Sequence, residues 1–158
     1  MSSGVILVLR MRSASMALAI DTNIFVYSLN SDSNVHEAAR SFVLEASRKD
    51  DVVISDLVLV ELYLLIRNKA VFPRPYSAVE AAEVCRRLRE NPRWQVVECR
   101  PIMSRVWDDI VQVNFPRRQL IDLRLAHTLH AAGVRRFATR NTRDFADLGL
   151  FEVFDPLL

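Results

Sequence analysis

The chain has 158 residues, 51% hydrophobic and 25% charged, with 21 Lys and Arg against 19 Asp and Glu. That length argues one domain able to bury a core without disulfides, and the composition excludes a disordered or fibrous chain. A net charge of +2 excludes a polybasic chain that coats nucleic acid by charge alone, but permits a local basic rim.

Among the cations only Lys49 and Lys69 are lysine; the rest are arginine. This reads either as genome composition or as a use of arginine's planar fork on phosphate. Cys85 and Cys99 have no CxxC spacing and are too few for a disulfide scaffold or zinc knuckle. Their apolar neighbours suggest reduced, buried thiols. The run Val5–Leu9 precedes Arg10 and Arg12, the reverse of a secretory signal, and is too short to be one. No apolar stretch approaches the ~20 residues of a membrane span. Residues 1–15 therefore read as a disordered extension or mis-called start before Met16, and a cytoplasmic protein is expected.

From Met16 the pattern alternates between strands and helices. Ala17–Ile20 is a short apolar strand, and Asp21-Thr22-Asn23 supplies helix-start chemistry for Ile24–Leu29. Asn34 offers a cap for a helix over Val35–Ser47, with Ala38, Ala39, Phe42, Val43 and Ala46 at helical spacing. Val52–Ile54 reads as a buried strand, and Ser55 and Asp56 cap an apolar helix from Leu57 to about Arg67. After Pro73 and Pro75, Ser77 opens a helix to Glu90. Trp94–Val97 is a third strand, and Pro101 starts a helix toward Asn114. Pro116 breaks that one, and Arg118–Ala132 forms another, closed by Gly133. Phe137–Thr139 is a fourth strand and Phe151–Phe154 a fifth candidate. The fold class is α/β: a single domain with a mainly parallel sheet of four or five strands, helices on both faces.

Ligands of such sheets bind beyond the carboxyl ends of the strands. Asp21, Ser55, Asp56 and Thr139-Arg140-Asn141 each follow a strand and so share one edge. Asp21 has an ordinary alternative as an N-cap. Glu61 lies in a helix apolar almost all round, which argues burial, and a buried carboxylate needs a cation or a proton; the alternative places it at the wet edge of the helix. Asp122 starts another apolar helix, where an i,i+4 pair with Arg118 is the plain reading. Asp144 fits an Asx-turn or short-helix cap.

Taken together, the four carboxylates ask for a metal. Two like charges about 4 Å apart repel by about 4 kcal/mol at an effective dielectric of about 20, so a cluster needs a counter-charge. All-oxygen ligands select Mg2+ or Mn2+ over Zn2+, and such an ion suits phosphodiester hydrolysis. His36, His127 and His130 read as solvated or core histidines. No Gly-rich phosphate loop exists, since Gly4, Gly133 and Gly149 are the only glycines. A haloacid-dehalogenase-type phosphotransferase would want an acid where Asn23 stands.

Four segments carry a resemblance: Ala19–Phe25, Ile54–Leu62, Leu120–Ala126 and Ala138–Phe145. In order and spacing they resemble the motifs of PIN-domain ribonucleases, most closely the VapC-type toxins of bacterial toxin–antitoxin pairs, over residues 16–158. The resemblance implies an endoribonuclease dependent on Mg2+, with Mn2+ as substitute. It further implies a homodimer inhibited by a VapB-type antitoxin. By position Asp21, Glu61 and Asp122 match the acidic triad and Asp144 the fourth acidic position, with Thr22, Asn23, Thr139 and Asn141 in support. Asn141 stands where many relatives carry Asp, which lowers the charge of the site by one. Arg117, Arg118, Arg140 and Arg143 read as an RNA-gripping rim or as solvated surface. The alternative function is a catalytically idle module that binds RNA or protein. Tyr27, Phe42, Tyr63 and Phe72 are expected either to line a groove for an antitoxin helix or to pack in the core.

Overall fold

The computed structural model describes residues 16–111 and 116–158. The expected extension at 1–15 and the helix end near Asn114 lie outside these. Strands β1 (Ala17–Ile20), β2 (Val52–Ser55), β3 (Gln95–Val97), β4 (Val134–Ala138) and β5 (Glu152–Phe154) form one sheet in the order β3-β2-β1-β4-β5. Every pairing is parallel. The helices are α1 (Thr22–Leu29), α2 (His36–Ala46), α3 (Asp56–Ile66), α4 (Ala78–Arg89), α5 (Met103–Ile110), α6 (Leu120–Ala131) and α7 (Thr142–Ala146). A 3-10 turn at Arg117–Gln119 leads into α6.

The chain steps outward from β1 to β2 to β3, then returns past β1 to β4 and β5. Right-handed crossovers therefore put α1–α4 on one face and α5–α7 on the other. Contacts agree, since α1 packs on α2 and α3, α3 on α4, and α5 on α6. With both faces covered, β1 and β2 need no polar alternation; Leu18–Ile20 and Val52–Ser55 are all buried. On the first face Phe25 meets Trp94, whose indole N–H donates to the Ala46 carbonyl at 3.0 Å. On the second, Phe137 lies edge-on to Phe145 at 4.6 Å and packs against Phe151.

Several local expectations change. β4 begins at Val134, so Arg135 and Arg136 lie inside the strand rather than before it. Arg135 is exposed, and Arg136 covers the Phe154 ring at 5.0 Å, so neither charge needs to leave the sheet. Asn34 does not cap α2; the helix starts at His36, whose backbone N–H donates to the Ser33 carbonyl. Asp144 lies within a short helix, α7, rather than in an Asx-turn. Gly133 closes α6 at φ +89°, a conformation only glycine adopts without strain, and its N–H donates to the His130 carbonyl. Cys85 is half-buried, with its thiol 3.4 Å from the Leu59 carbonyl, but Cys99 is exposed because β3 ends at Val97.

Candidate active site

The order of the sheet reverses beside β1, because β2 and β4 flank it and the chain leaves them in opposite directions. At that switch point the crossover helices diverge and leave a crevice beyond the strand ends. Asp21 stands there, directly after β1 and capping α1, and only 7% of it is exposed. Its Oδ1 accepts from Thr22 N–H at 2.8 Å, and its Oδ2 accepts from the Thr139 hydroxyl at 2.6 Å. Thr139 directly follows β4 and is itself fully buried. Its hydroxyl oxygen also accepts from Asn23 Nδ2 at 3.3 Å and from Asn141 N–H at 3.0 Å. The ends of β1 and β4 are thus locked around one carboxylate.

Glu61 arrives from α3 and accepts a 2.8 Å bond from the Thr22 hydroxyl. It is exposed, contrary to the burial that its apolar neighbours suggest. Helix α3 buries Val58, Leu59, Leu62 and Ile66 but leaves Val60 and Leu64 61% and 63% exposed. The apolar run therefore reflects a second, open face rather than burial all round. Asp122 is half-buried in the first turn of α6, and Asp144 is half-buried in α7. No pairing of Asp122 with Arg118 occurs among the described residues.

The electrostatics tie these carboxylates together. Burial first, then the charges of Glu61 and Asp122, push the Asp21 carboxyl from 3.8 up to about 6, against the pull of its bonds to Thr139 and Thr22. Burial, followed by the charges of Glu61 and Asp144, pushes Asp122 from 3.8 up to about 6. The four acids thus feel one another. Among the described residues, however, no three His, Cys, Asp or Glu side chains converge tightly enough to ligate a metal as they stand. The donor set still fits a hard cation: it is all oxygen, anionic and destabilised when ionised alone. Mg2+ commonly takes one or two carboxylates and keeps several waters, so it does not require four converging ligands.

The sequence matches the PIN domain family over residues 18–149. It is 46% identical over 140 residues to a protein named Ribonuclease VapC24 from Mycobacterium tuberculosis, covering 89% of this chain and 97% of that relative. The chain belongs to the PIN-domain family, among its VapC-type members. The VapC-type architecture recurs in solved structures. The fold matches Mycobacterium tuberculosis VapC20, described as a Sarcin-Ricin loop cleaving toxin, with a TM-score of 0.64 at 19% identity, covering 87% of this chain and 98% of that one. It also matches VapBC2 from Rickettsia felis, solved on a DNA fragment from its promoter, with a TM-score of 0.59 at 14% identity, covering 89% and 97%.

The basic residues of this VapC-type chain divide. Arg117, Arg118 and Arg143 are exposed, and their side chains make no hydrogen bond or ion pair among the described residues. Arg140 is anchored: its Nε lies 3.5 Å from Asp155 Oδ2 and its guanidinium 5.4 Å from the Tyr27 ring centre. Sequence reasoning misses Asp155, since only the pairing of β4 with β5 brings it beside Arg140.

The four aromatic residues do not share a groove. Tyr27 lies under Arg140, Phe42 meets Phe154 edge-on, Phe72 is buried against Tyr76, and Tyr63 faces an outer cleft with Leu64 and Cys85. His127 is a core histidine, 7% exposed, with Nε2 2.6 Å from Asp109 Oδ2; this pair fastens α6 to α5.

Proposed function

We propose that this protein is a Mg2+-dependent endoribonuclease, with Mn2+ as substitute, that acts as the toxin of a toxin–antitoxin pair. The observation that carries the reading is the acidic cluster at the switch point, where Asp21 and Asp122 are both pushed up to about 6. Carboxylates held in this state gain most from a cation. Family membership and the name of the relative at 46% identity support RNA as substrate.

In this reading Asp21, Glu61, Asp122 and Asp144 hold the ion. When bound, the ion supplies water activation and offsets negative charge on the phosphodiester. Thr139 orients Asp21 by donating to Oδ2, which fixes the rotation of a carboxylate that would hold the ion. Thr22 does the same for Glu61. Asn23 and the Asn141 N–H fix Thr139 in turn. Asn141 itself contributes no charge, which leaves the site one anion short of an all-acidic set. Arg117, Arg118, Arg140 and Arg143 form the basic rim that meets the RNA backbone.

Partners follow from the surface and the relatives. The open apolar cleft between α3 and α4, about 450 Å³ and lined by Leu59, Val60, Tyr63 and Leu64, supports burial against another chain. We infer a homodimer and a VapB-type antitoxin, the latter supported by the toxin–antitoxin complexes among the structural neighbours. Among the described residues no helix is long and apolar enough to cross a membrane. We place the protein in the cytoplasm, where its RNA would be met.

The test is cleavage of total bacterial RNA in Mn2+ and in EDTA, with the ends of the fragments sequenced. Discrete, metal-dependent ends that vanish with Asp21→Asn or Asp122→Asn are expected. Folded wild-type protein that binds RNA but cuts none in Mn2+ would replace this reading with the idle binding module.

A further inference from the structure

The parallel register of β4 and β5 has a chemical consequence at the mouth of the site. Ala138 pairs with Phe154, so Thr139-Arg140 and Asp155 leave the sheet side by side at the same edge. The Thr139 N–H donates to the Phe154 carbonyl at 3.0 Å, which ties the last strand to the residue that holds Asp21. Asp155 is held by one hydrogen bond and one ion pair. Oδ1 accepts from Leu157 N–H at 2.9 Å, Oδ2 faces Arg140 Nε, and only 10% of the side chain is exposed.

Arg140 is therefore held on three sides. Its backbone N–H lies 3.5 Å from Asn23 Oδ1, its Nε faces Asp155, and its guanidinium lies over the Tyr27 ring. Tyr27 is fixed in turn, since its carbonyl accepts from His36 Nδ1 at 3.1 Å. A third of the Arg140 side chain remains exposed, and its two terminal nitrogens have no partner among the described residues. An arginine stacked on a ring, with Nε in an ion pair, loses less entropy when its outer nitrogens bind than a free one does. Those nitrogens form the fork that recognises a phosphate. Arg140 lies between Asp21's partner Thr139 and Asn141 in sequence, and its backbone N–H faces Asn23, so the residue leaves the sheet at the same strand edge as Asp21.

We propose that Arg140 is the phosphate anchor for the RNA strand beside the cleavage site, and that Asp155 is its positioning residue. The proposal rests on the ribonuclease reading above and sharpens it. Of the four rim arginines, it selects one and gives the carboxyl-terminal segment a part in binding. Arg117, Arg118 and Arg143 add charge without a fixed geometry.

The test compares the full-length protein with Arg140→Ala, Arg140→Lys, Asp155→Asn and the Arg140→Ala/Asp155→Asn double variant. Asp155→Asn keeps the oxygen that accepts from Leu157, and melting curves verify that each variant folds. Binding is read by anisotropy of a fluorescein-labelled random-sequence RNA of about 20 nucleotides, without divalent metal, at about 50 to 200 mM salt. Cleavage of total bacterial RNA is read in Mn2+ with enzyme in excess, giving a half-saturating concentration and a limiting rate.

Arg140→Ala is expected to weaken binding about tenfold, as befits a charge-assisted bond. It is also expected to reduce the salt slope by about 0.7, the value for one phosphate contact on a single strand. The half-saturating concentration should rise in step, with the limiting rate within about twofold. Asp155→Asn should weaken binding about threefold alone and not at all in the Arg140→Ala background. Arg140→Lys should recover the salt slope but not the full affinity, because it restores the charge without the fork.

An unchanged salt slope in Arg140→Ala, or an Asp155→Asn effect that adds to it, would make the ion pair a strap for the last strand and overturn the proposal. Wild-type protein that binds RNA without cutting it would remove the ribonuclease reading while the binding comparison still decides the anchor. Wild-type cleavage with unaltered binding by Arg140→Ala would remove the anchor alone. Failure of the wild type to bind the RNA would remove both.

Discussion

Replacing Asp21 by asparagine should stabilise the metal-free protein at neutral pH while abolishing its activity. An ordinary carboxyl at 3.8 that is pushed to about 6 carries about 3 kcal/mol of penalty in its ionised form. Asparagine removes that penalty and keeps one of the two bonds, since its oxygen still accepts from Thr22 N–H. The other is lost: the amide NH2 replaces Oδ2, and the Thr139 hydroxyl already accepts from Asn23 and Asn141. The shift to about 6 already contains the Thr139 bond to the ionised carboxylate, so only the loss of a neutral hydrogen bond, about 1 kcal/mol, is subtracted and a net gain of about 2 kcal/mol remains. In a domain of this size that raises Tm by roughly 4 to 8 °C.

The sign depends on pH. A carboxyl whose folded value is raised stabilises the fold fully below the unfolded value of 3.8, and that contribution is lost as pH rises through about 6. Asp21→Asn should therefore melt above wild type at about pH 7.5 and slightly below it at about pH 4, where only the lost bond counts. Calorimetry at the two pH values in EDTA gives both differences. A variant less stable than wild type at neutral pH, or a difference independent of pH, would refute the reasoning. RNA cleavage by the same variant in Mn2+ should fall at least about a hundredfold.

Thr139→Val removes the donor that lowers the Asp21 carboxyl, so the acidic limb of the pH–rate profile should move up and cleavage should drop about tenfold. Mn2+ at about a hundred times its Kd should add about 2.7 kcal/mol of stability, and the effect should fade below pH 6, where Asp21 and Asp122 take up protons; thermal melts across pH and metal concentration measure this. Glu61→Gln should raise the metal-free melting temperature modestly, because the Glu61 charge pushes both Asp21 and Asp122 up, yet weaken the Mn2+ response of that melt. His127→Ala should cost about 3 kcal/mol in urea unfolding, since it opens a void under α6 and frees α5 from the Asp109 bond.

The residues that local chemistry marks are legible in the sequence itself. Asp21 follows an apolar strand and begins a helix, and both statements hold at β1 and α1. Ser55 caps α3 by accepting from Leu57 N–H, and Ser77 forms a capping box with Glu80, each within three residues of sequence. Periodicity misleads where it does not tell one buried face from an open one. Helix α3 reads as apolar all round, yet Val60 and Leu64 face outward, so the burial argued for Glu61 does not hold. Local propensity shortens β4, because Arg135 and Arg136 look like a loop; Arg136 pairs with both β1 and β5, and Arg135 is accommodated at a register shift against β1, which together override that preference.

The lateral order of the strands is written in no local pattern, and the site depends on it. Asp21 and Thr139 are far apart in the chain, and their 2.6 Å bond exists only because β4 pairs with β1. Arg140 meets Asp155 only because β5 pairs with β4. The bonds to Asp21 moderate the cost of burying it as a carboxylate. Asp21 is the most buried of the four carboxylates, and Thr139 and Thr22 both donate to it. The less buried Asp122 has no hydrogen-bond donor among the described residues, yet burial and its neighbours bring it to the same value of about 6. Donors thus offset part of the deeper desolvation of Asp21, so that both acids are pushed up to about 6 by different balances of burial, charge and hydrogen bonding, and both are largely ionised above about pH 7.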